Sequence, residues 1–364
     1  MAPGEDAGQL TPVEELREII ETTFPTDEIV YAFGYGSGVL SQQLSNAEGD
    51  SETKVIDLIL AVKDSRDFHR ENLKVNPSHY AVPTWFGKET AADYVTWLQR
   101  HAVDNTLFRN PRVYFNVTDR IKYGVVQLED LSADLTDWKY LYLAGRMHKP
   151  VVTIIDRQTP GALDSIQCQQ DNHNLPAGLS AALLLQSISH HKQQQIDPSS
   201  SAGVIMSEAN VYQQIASLSY TGDFRTAVGA EDPLKISKLV ESPGQLQRFR
   251  DLYAASADNL CQAGLLNIDS QNQTWTWDAS SPTARAHLWR ALPPNLRRLG
   301  DNDKSNEGSN DAPAVCFALA AALPAIVAPA ARYQSFKGLF TAGASKSFKY
   351  AVRKLSKGLT SKKK

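Results

Sequence analysis

The apolar positions of this chain fall into short runs whose spacing changes from strand-like to helix-like about 156 residues in. Residues 13–21 repeat at helical spacing behind Thr11, which reads as an N-cap before Pro12. The run at 29–33 predicts a strand, followed by a glycine loop and a short helix. An acidic loop at 46–53 separates it from KVIDLILAV, where 55–62 predicts a second strand. Helical patterns follow near 66–73 and 91–100. VYFNV at 113–117 and IKYGVVQL at 121–128 predict adjacent antiparallel strands. DLTDWKYLYLAGRM predicts a helix with Asp134 as its N-cap, and VVTII at 151–155 a further strand.

Residues 160–260 read as mostly helical, with a polar spacer, HHKQQQIDPSSSAG, at 190–203. TWTWD at 274–278 predicts a short hairpin strand, and a helical domain with one small β element suits a winged helix. GDNDKSNEGSNDAP at 300–313 is a linker by composition. No internal repeat is found. The expected fold is α+β (mixed α/β): a unit over 1–156, a helical, winged-helix-like domain over 157–300, and a linker with a basic tail over 301–364.

Composition changes this picture in one place. The net charge of −3 conceals ten Lys or Arg and no acid in 332–364, which leaves 27 basic against 40 acidic residues before it. Such a tail implies an anionic partner, with a solvated tail as the alternative. Phe348, Val352, Leu355 and Leu359 recur at helical spacing among Lys346, Lys349, Arg353, Lys354 and Lys357. That is a basic amphipathic helix suited to an anionic lipid interface, with Phe336, Leu339 and Phe340 placed to insert beside it. Dispersed arginines and sheet-borne aromatics of an RNA binder are not seen, so no nucleic-acid partner is expected. Cys168, Cys261 and Cys316 are scattered and odd in number, which argues against a disulfide framework or a zinc cluster. CFALAAALPAIVAPAAR falls short of the ~20 residues of a simple membrane span and contains Pro324 and Pro329, which are expected to break it. The acidic N-terminus reads as neither a signal peptide nor an arginine-rich transit peptide.

The chemistry centres on FGYGSG at 33–38, between a strand and a helix. Glycines there let the backbone approach phosphate, and peptide N–H groups can bind its oxygens. No GK[ST] follows, so this is not a Walker A loop. About twenty residues later Asp57 sits inside an apolar strand. An ionised carboxylate in such a run needs a partner: a metal ion, an arginine or a helix terminus. A glycine–serine loop followed by an acidic strand is the arrangement of polymerase-beta-type nucleotidyltransferases. Their strands usually carry two acids on one face, whereas Ile59 occupies the second position here.

Several blocks in order extend the likeness: YGSGV at 35–39, IDLILAV at 56–62, FHRENL and SHY with His69, Asn72, His79 and Tyr80, IKYGVV at 121–126, LYLAGRMHKPV at 141–151, SLSYTGDFR at 217–225 and KGLFTAGAS at 337–345. In these the chain resembles the mitochondrial CDP-diacylglycerol synthases, also called mitochondrial translocator assembly and maintenance proteins. The resemblance implies transfer of a cytidylyl group from CTP to phosphatidic acid, with Mg2+, on the matrix face of the inner mitochondrial membrane as a peripheral protein. The product would feed phosphatidylglycerol and cardiolipin synthesis. Import would then rely on a presequence outside this sequence. Tyr35, Gly36, Ser37 and Gly38 are expected at the triphosphate, Asp57 at magnesium, and Lys122 as a phosphate point charge. Asp223 is a candidate second metal ligand, with capping of a helix as the alternative, and Arg225 a phosphate contact. His69, Asn72, His79 and Tyr80 are candidate substrate contacts, although isolated histidines are more often structural. His190 and His191 are expected in solvent, and Trp138, Tyr140 and Tyr142 in packing. The alternatives that remain are a nucleotidyltransferase with another acceptor and a non-enzymatic assembly factor for membrane translocases.

Overall fold

The computed structural model describes residues 11–40, 55–82, 87–101, 105–196, 203–223, 225, 234–301 and 312–341. A five-stranded mixed sheet organises its first part. The strands β1 (Ile29–Tyr35), β2 (Ile56–Val62), β3 (Val113–Val117), β4 (Ile121–Gln127) and β5 (Val152–Asp156) lie in the order β3-β4-β2-β1-β5. All neighbours are antiparallel except β2 and β4, which run parallel. Each strand stands within two residues of the apolar run that predicts it.

Strand alternation gives the sheet two different faces. Leu58, Leu60, Tyr123 and Val125 point to one, where they pack with Leu16 and Ile20 of α1 (Pro12–Thr23) and Phe68 of α3 (Ser65–Val75). Helix α1 starts at the capping box formed by Thr11 and Glu14. Tyr31, Phe33, Ile59, Ala61 and Val126 point to the other face, onto a larger core. That core runs through Leu179 and Leu183 of the helix Leu175–Ile196 and on to Leu319, Leu323 and Ile326 of the helix Ala312–Thr341. The sheet and the helical part therefore share one apolar interior.

Two expectations change here. Pro324 and Pro329 do not interrupt the apolar run at 316–332; both lie inside a continuous 30-residue helix. Its segment Cys316–Gly338 is long and apolar enough to cross a membrane, but it is mostly buried within the protein, as in a core helix. The tail expected from residue 301 thus includes a core helix, and the basic amphipathic stretch proper lies outside the described residues. The second change concerns Asp134. It is not an N-cap; it lies within α5 (Leu128–Asp137), and the chain leaves the helix at Trp138 in the left-handed region. A separate turn, α6 (Ala144–Met147), follows.

In the helical part, β8 (Thr274–Asp278) pairs with β7 (Asn267–Asp269) as the predicted hairpin. It also pairs with β6 (Gly203–Ser207), at the edge of what reads as a polar spacer. Trp275 and Trp277 alternate inward from β8 into the large core.

Candidate active site

Three side chains stand abreast at one end of the sheet. Tyr35 ends β1 opposite Asp57, and Asp57 lies opposite Lys122. Cross-strand partners share a face. Lys122 Nζ lies 3.7 Å from Asp57 Oδ1, and both side chains are about one-third exposed (34% and 29%). Ile59, two residues on from Asp57, points the same way but is fully buried. Its Cδ1 would sit 2.9 Å from a Cβ placed on Gly124, so the position of the usual second acid is here part of an apolar floor.

The glycine loop closes over this row. Gly36 takes φ +80°, and a Cβ there would lie 3.6 Å from Asp57 Oδ2. Gly38 stands so close to the start of β2 that a Cβ would meet the Val55 carbonyl oxygen at 2.2 Å. The backbone of Tyr35–Gly38 and the carboxylate of Asp57 therefore converge as the sequence predicts. The side chain of Ser37 lies outside the described residues.

Arg146, on α6, completes the group. Its guanidinium lies over the rings of Tyr142 (4.1 Å), Tyr35 (5.3 Å) and Phe115 (5.7 Å), and its Nη1 donates to the Tyr142 carbonyl at 2.7 Å. Lys122 Nζ sits 5.2 Å from the Phe115 ring on the same side. The Tyr35 hydroxyl and Arg146 Nε are buried without a hydrogen-bond partner. Burial without a well-aligned hydrogen bond is costly for both groups, and they lie against each other.

A strained loop sets the position of Arg146. Trp138 and Leu141 both have positive φ, 49° and 50°. That is costly for bulky residues. Asp134 holds them: its two oxygens accept the backbone N–H groups of Tyr140, Leu141, Tyr142, Leu143 and Ala144 at 2.8–3.0 Å. Asn174 ties the same loop down, accepting from Trp138 Nε1 and donating to the Ala144 carbonyl. Gly145 lets the 217–223 loop press against α6, since a Cβ there would be 2.3 Å from Ser219 Cβ. In this crowded place Lys149 Nζ donates to the Gly145 carbonyl and to Ser219 Oγ.

The charges follow from burial. Burial raises the Asp57 carboxyl above the usual carboxylate range, while Lys122 and Arg146 pull it down. Burial likewise raises the Tyr35 phenol. It works against the Lys122 charge, yet Tyr35 and Asp57 beside it carry that ammonium above its ordinary value. One carboxylate thus faces two firmly held cations, a balance suited to an anionic ligand.

Other predicted residues lie elsewhere. His69, Asn72 and Tyr80 do not reach this row; they form a buried network with Tyr123. His69 bonds Tyr80 and Gln99, while Asn72 donates to the hydroxyls of Tyr80 and Tyr123. His79 bonds the Tyr123 hydroxyl at 3.0 Å. Tyr123 points to the face opposite its neighbour Lys122, so the sheet separates these four residues from Asp57. Asp223 is buried, and both its oxygens accept from Arg225 at 2.5–3.1 Å. They form an ion pair rather than an open metal ligand and a phosphate contact. Among the described residues no group of three or more His, Cys, Asp or Glu could hold a metal. An ion at Asp57 would draw its remaining ligands from substrate phosphates and water, which is the usual habit of magnesium. The side chains of His190 and His191 lie outside the described residues. Sequence reading missed Arg146 and gave Tyr142, on whose ring it rests, only a packing role; the lone arginine of LYLAGRMHKPV was the signal available.

The family model described as phosphatidate cytidylyltransferase, mitochondrial, matches residues 16–357. Proteins with that name are similar over nearly the whole chain. One from Caenorhabditis elegans is 30% identical, covering 96% of this chain and 100% of its own length. One from Drosophila melanogaster is 32% identical, with 92% and 96% covered. One from Xenopus laevis is 33% identical, with 93% of each covered.

Proposed function

Because the chain belongs to the family of mitochondrial phosphatidate cytidylyltransferases, we propose that the cluster of Tyr35, Asp57, Lys122 and Arg146 is where it joins CTP to phosphatidic acid, giving CDP-diacylglycerol and pyrophosphate. The observation that carries this reading is the convergence of the glycine loop on Asp57, with Gly36 directly above the carboxylate.

In the mechanism, the loop backbone at 35–38 receives the triphosphate, and Lys122 and Arg146 offset its charge. A phosphate oxygen of phosphatidate bonds to the α-phosphorus of CTP as the α–β bridging oxygen leaves with the pyrophosphate. The second pKa of a phosphomonoester is near ~6, so the nucleophile is already anionic at neutral pH and no dedicated base is required. Catalysis is then mainly positioning and charge neutralisation. Asp57 would hold Mg2+, whose chemistry is to neutralise charge on the phosphate oxygens. Lys122, at 3.7 Å, orients the carboxylate.

The finer fold reading belongs with this one. A strand, glycine turn and acidic strand in this order support a polymerase-beta-type nucleotidyltransferase domain, and the β6–β8 sheet with its helices supports a winged-helix-like partner. The mitochondrial names of the relatives support a mitochondrial location. The basic stretch after residue 341 supports peripheral attachment to the anionic matrix face of the inner membrane.

The test is formation of CDP-diacylglycerol from CTP and phosphatidic acid with magnesium, repeated after chelation and with glycerol 3-phosphate as acceptor. Lipid product that depends on magnesium and on the diacyl acceptor is expected. Equal transfer to the water-soluble acceptor, or full turnover in excess chelator, contradicts the acceptor or the metal assignment respectively.

A further inference from the structure

Of the large apolar side chains left exposed among the described residues, four gather at one place. There α4 (Lys88–Arg100), the 105–110 loop and the end of the helix Ala312–Thr341 meet. Leu98 marks the junction: its carbonyl accepts from the Tyr333 hydroxyl at 3.3 Å and from Asn110 Nδ2 at 3.4 Å. The Arg109 N–H donates to the Pro329 carbonyl at 3.2 Å. Around this junction stand Tyr94 (49% exposed) and Trp97 (52%) of α4, Leu107 (61%) of the loop and Phe336 (54%) of the long helix. Tyr94 and Trp97 are three residues apart and share a helix face, and their rings stack at 6.4 Å. Phe336, three residues beyond Tyr333, stays half exposed with the Phe108 ring 6.1 Å from its own.

We propose that Tyr94, Trp97, Leu107 and Phe336 form an apolar patch that enters the interface of an anionic lipid bilayer, so that the folded body touches the membrane as well as the basic C-terminal segment. The sequence places Phe336 at such an interface; the fold brings Tyr94, Trp97 and Leu107 to it from over two hundred residues earlier in the chain. This attachment is separate from the transfer chemistry and would hold without it.

Three observations favour lipid over protein as the occupant. The first is where the long helix ends. It stops at Thr341, five residues past Phe336, and the 23 residues that follow carry eight Lys or Arg and no acid. An anionic surface that attracts that segment comes close to Phe336. The second is chemistry. Tyr and Trp join an apolar ring to a polar tip, which suits the boundary between headgroups and acyl chains. The exposed acids of α4, Glu89 and Asp93, lie toward its amino end and pair with Arg66. The third is size. Four side chains, each about half exposed, offer about 400 Å² of apolar surface at roughly 200 Å² apiece. A stable protein interface takes about 800 Å² from each partner. A small apolar patch beside a basic segment is instead enough for an interfacial anchor.

The full-length protein and its Trp97→Ala, Leu107→Ser and Trp97→Tyr variants are sedimented with phosphatidylcholine vesicles containing phosphatidylglycerol, in the absence of CTP. Trp97→Ala is expected to weaken partition by about ten-fold or more, the loss of roughly half an aromatic side chain's burial. Leu107→Ser should weaken it less, and Trp97→Tyr should keep most of the binding. These side chains are exposed, so the thermal midpoint without lipid should match that of the unaltered protein. The part of the fluorescence that Trp97→Phe removes should be quenched by vesicles whose acyl chains carry bromine. Unchanged partition in Trp97→Ala overturns the patch. So does a lowered midpoint without lipid, which would show another segment of the chain packed on Trp97. A fall from dimer to monomer in Trp97→Ala would overturn it too, in favour of a second copy. No turnover enters these measurements, so failure of the transfer assay is a separate result.

Discussion

Asp134 and Asp57 are two carboxylates in apolar surroundings, and they are stabilised in opposite ways. Asp134 is closed: five backbone N–H groups surround it, and it fixes a loop with two bulky residues at positive φ. Asp57 is open: its nearest cation is 3.7 Å away, and a glycine lies above it. A closed carboxylate is structural, and an open one beneath a glycine turn is ready for a ligand. Asp134→Asn turns an amide group toward backbone N–H donors and leaves some of them unsatisfied. The expected cost is on the order of 3 kcal/mol, since each buried orphan costs about 1–3 kcal/mol. Calorimetry should show a clearly lower thermal midpoint together with lost activity, because Arg146 rides on that loop. A midpoint equal to that of the unaltered protein would show that the loop does not need Asp134.

At the scale of elements, the helix Ala312–Thr341 carries a buried lysine. Lys337 Nζ donates to the Val113 carbonyl at 3.1 Å and lies between the rings of Tyr114 and Tyr333. Burial lowers its pKa to about 7. The unfolded chain keeps that proton up to the ordinary lysine value, near ~10.4, so between the two values unfolding takes up a proton. Stability from this group therefore rises with pH above about 7 and is lost below it. Lys337→Met removes that dependence. Thermal midpoints measured from about pH 6 to 9 should converge at the alkaline end, with the variant the more stable at the acid end. Parallel curves for the two proteins would mean that the ammonium is not held out of water.

For the whole molecule, the same helix joins the sheet to the helical part. Leu319, Leu323 and Ile326 are buried in the core that also covers the sheet. Ending the chain after residue 311 should therefore abolish cooperative unfolding. Ending it after residue 341 should weaken sedimentation with anionic vesicles. Unchanged vesicle binding would remove the basic stretch as a membrane anchor.

What the sequence made legible was local. The five strands are apolar runs between turn residues, and the convergence of Gly36 on Asp57 follows from a strand, a tight turn and an acidic strand in succession. What it hid depends on contacts far apart in the chain. β6 is visible only through its partner β8, seventy residues on. Asp134 looks like a cap because Ser, Thr, Asn and Asp favour that position, whereas its donors come from the following loop. Pro324 and Pro329 look like breaks, but surrounding contacts keep the helix continuous through them. His69, Asn72, His79 and Tyr80 suggest chemistry by residue type, yet strand alternation puts their partner Tyr123 on the far face of the sheet.

The central claim is that the glycine turn and Asp57 handle one triphosphate. Transfer of label from the α-phosphate of CTP into the lipid phase, compared between the unaltered chain and Asp57→Asn, tests it most directly. Burial raises the Asp57 carboxyl on folding, so its ionised form detracts from the stability of the unliganded fold above that pKa. The account predicts that the variant loses label transfer by on the order of 10²-fold or more with a thermal midpoint unchanged or raised. Label transfer at the unaltered rate in a folded variant would contradict it.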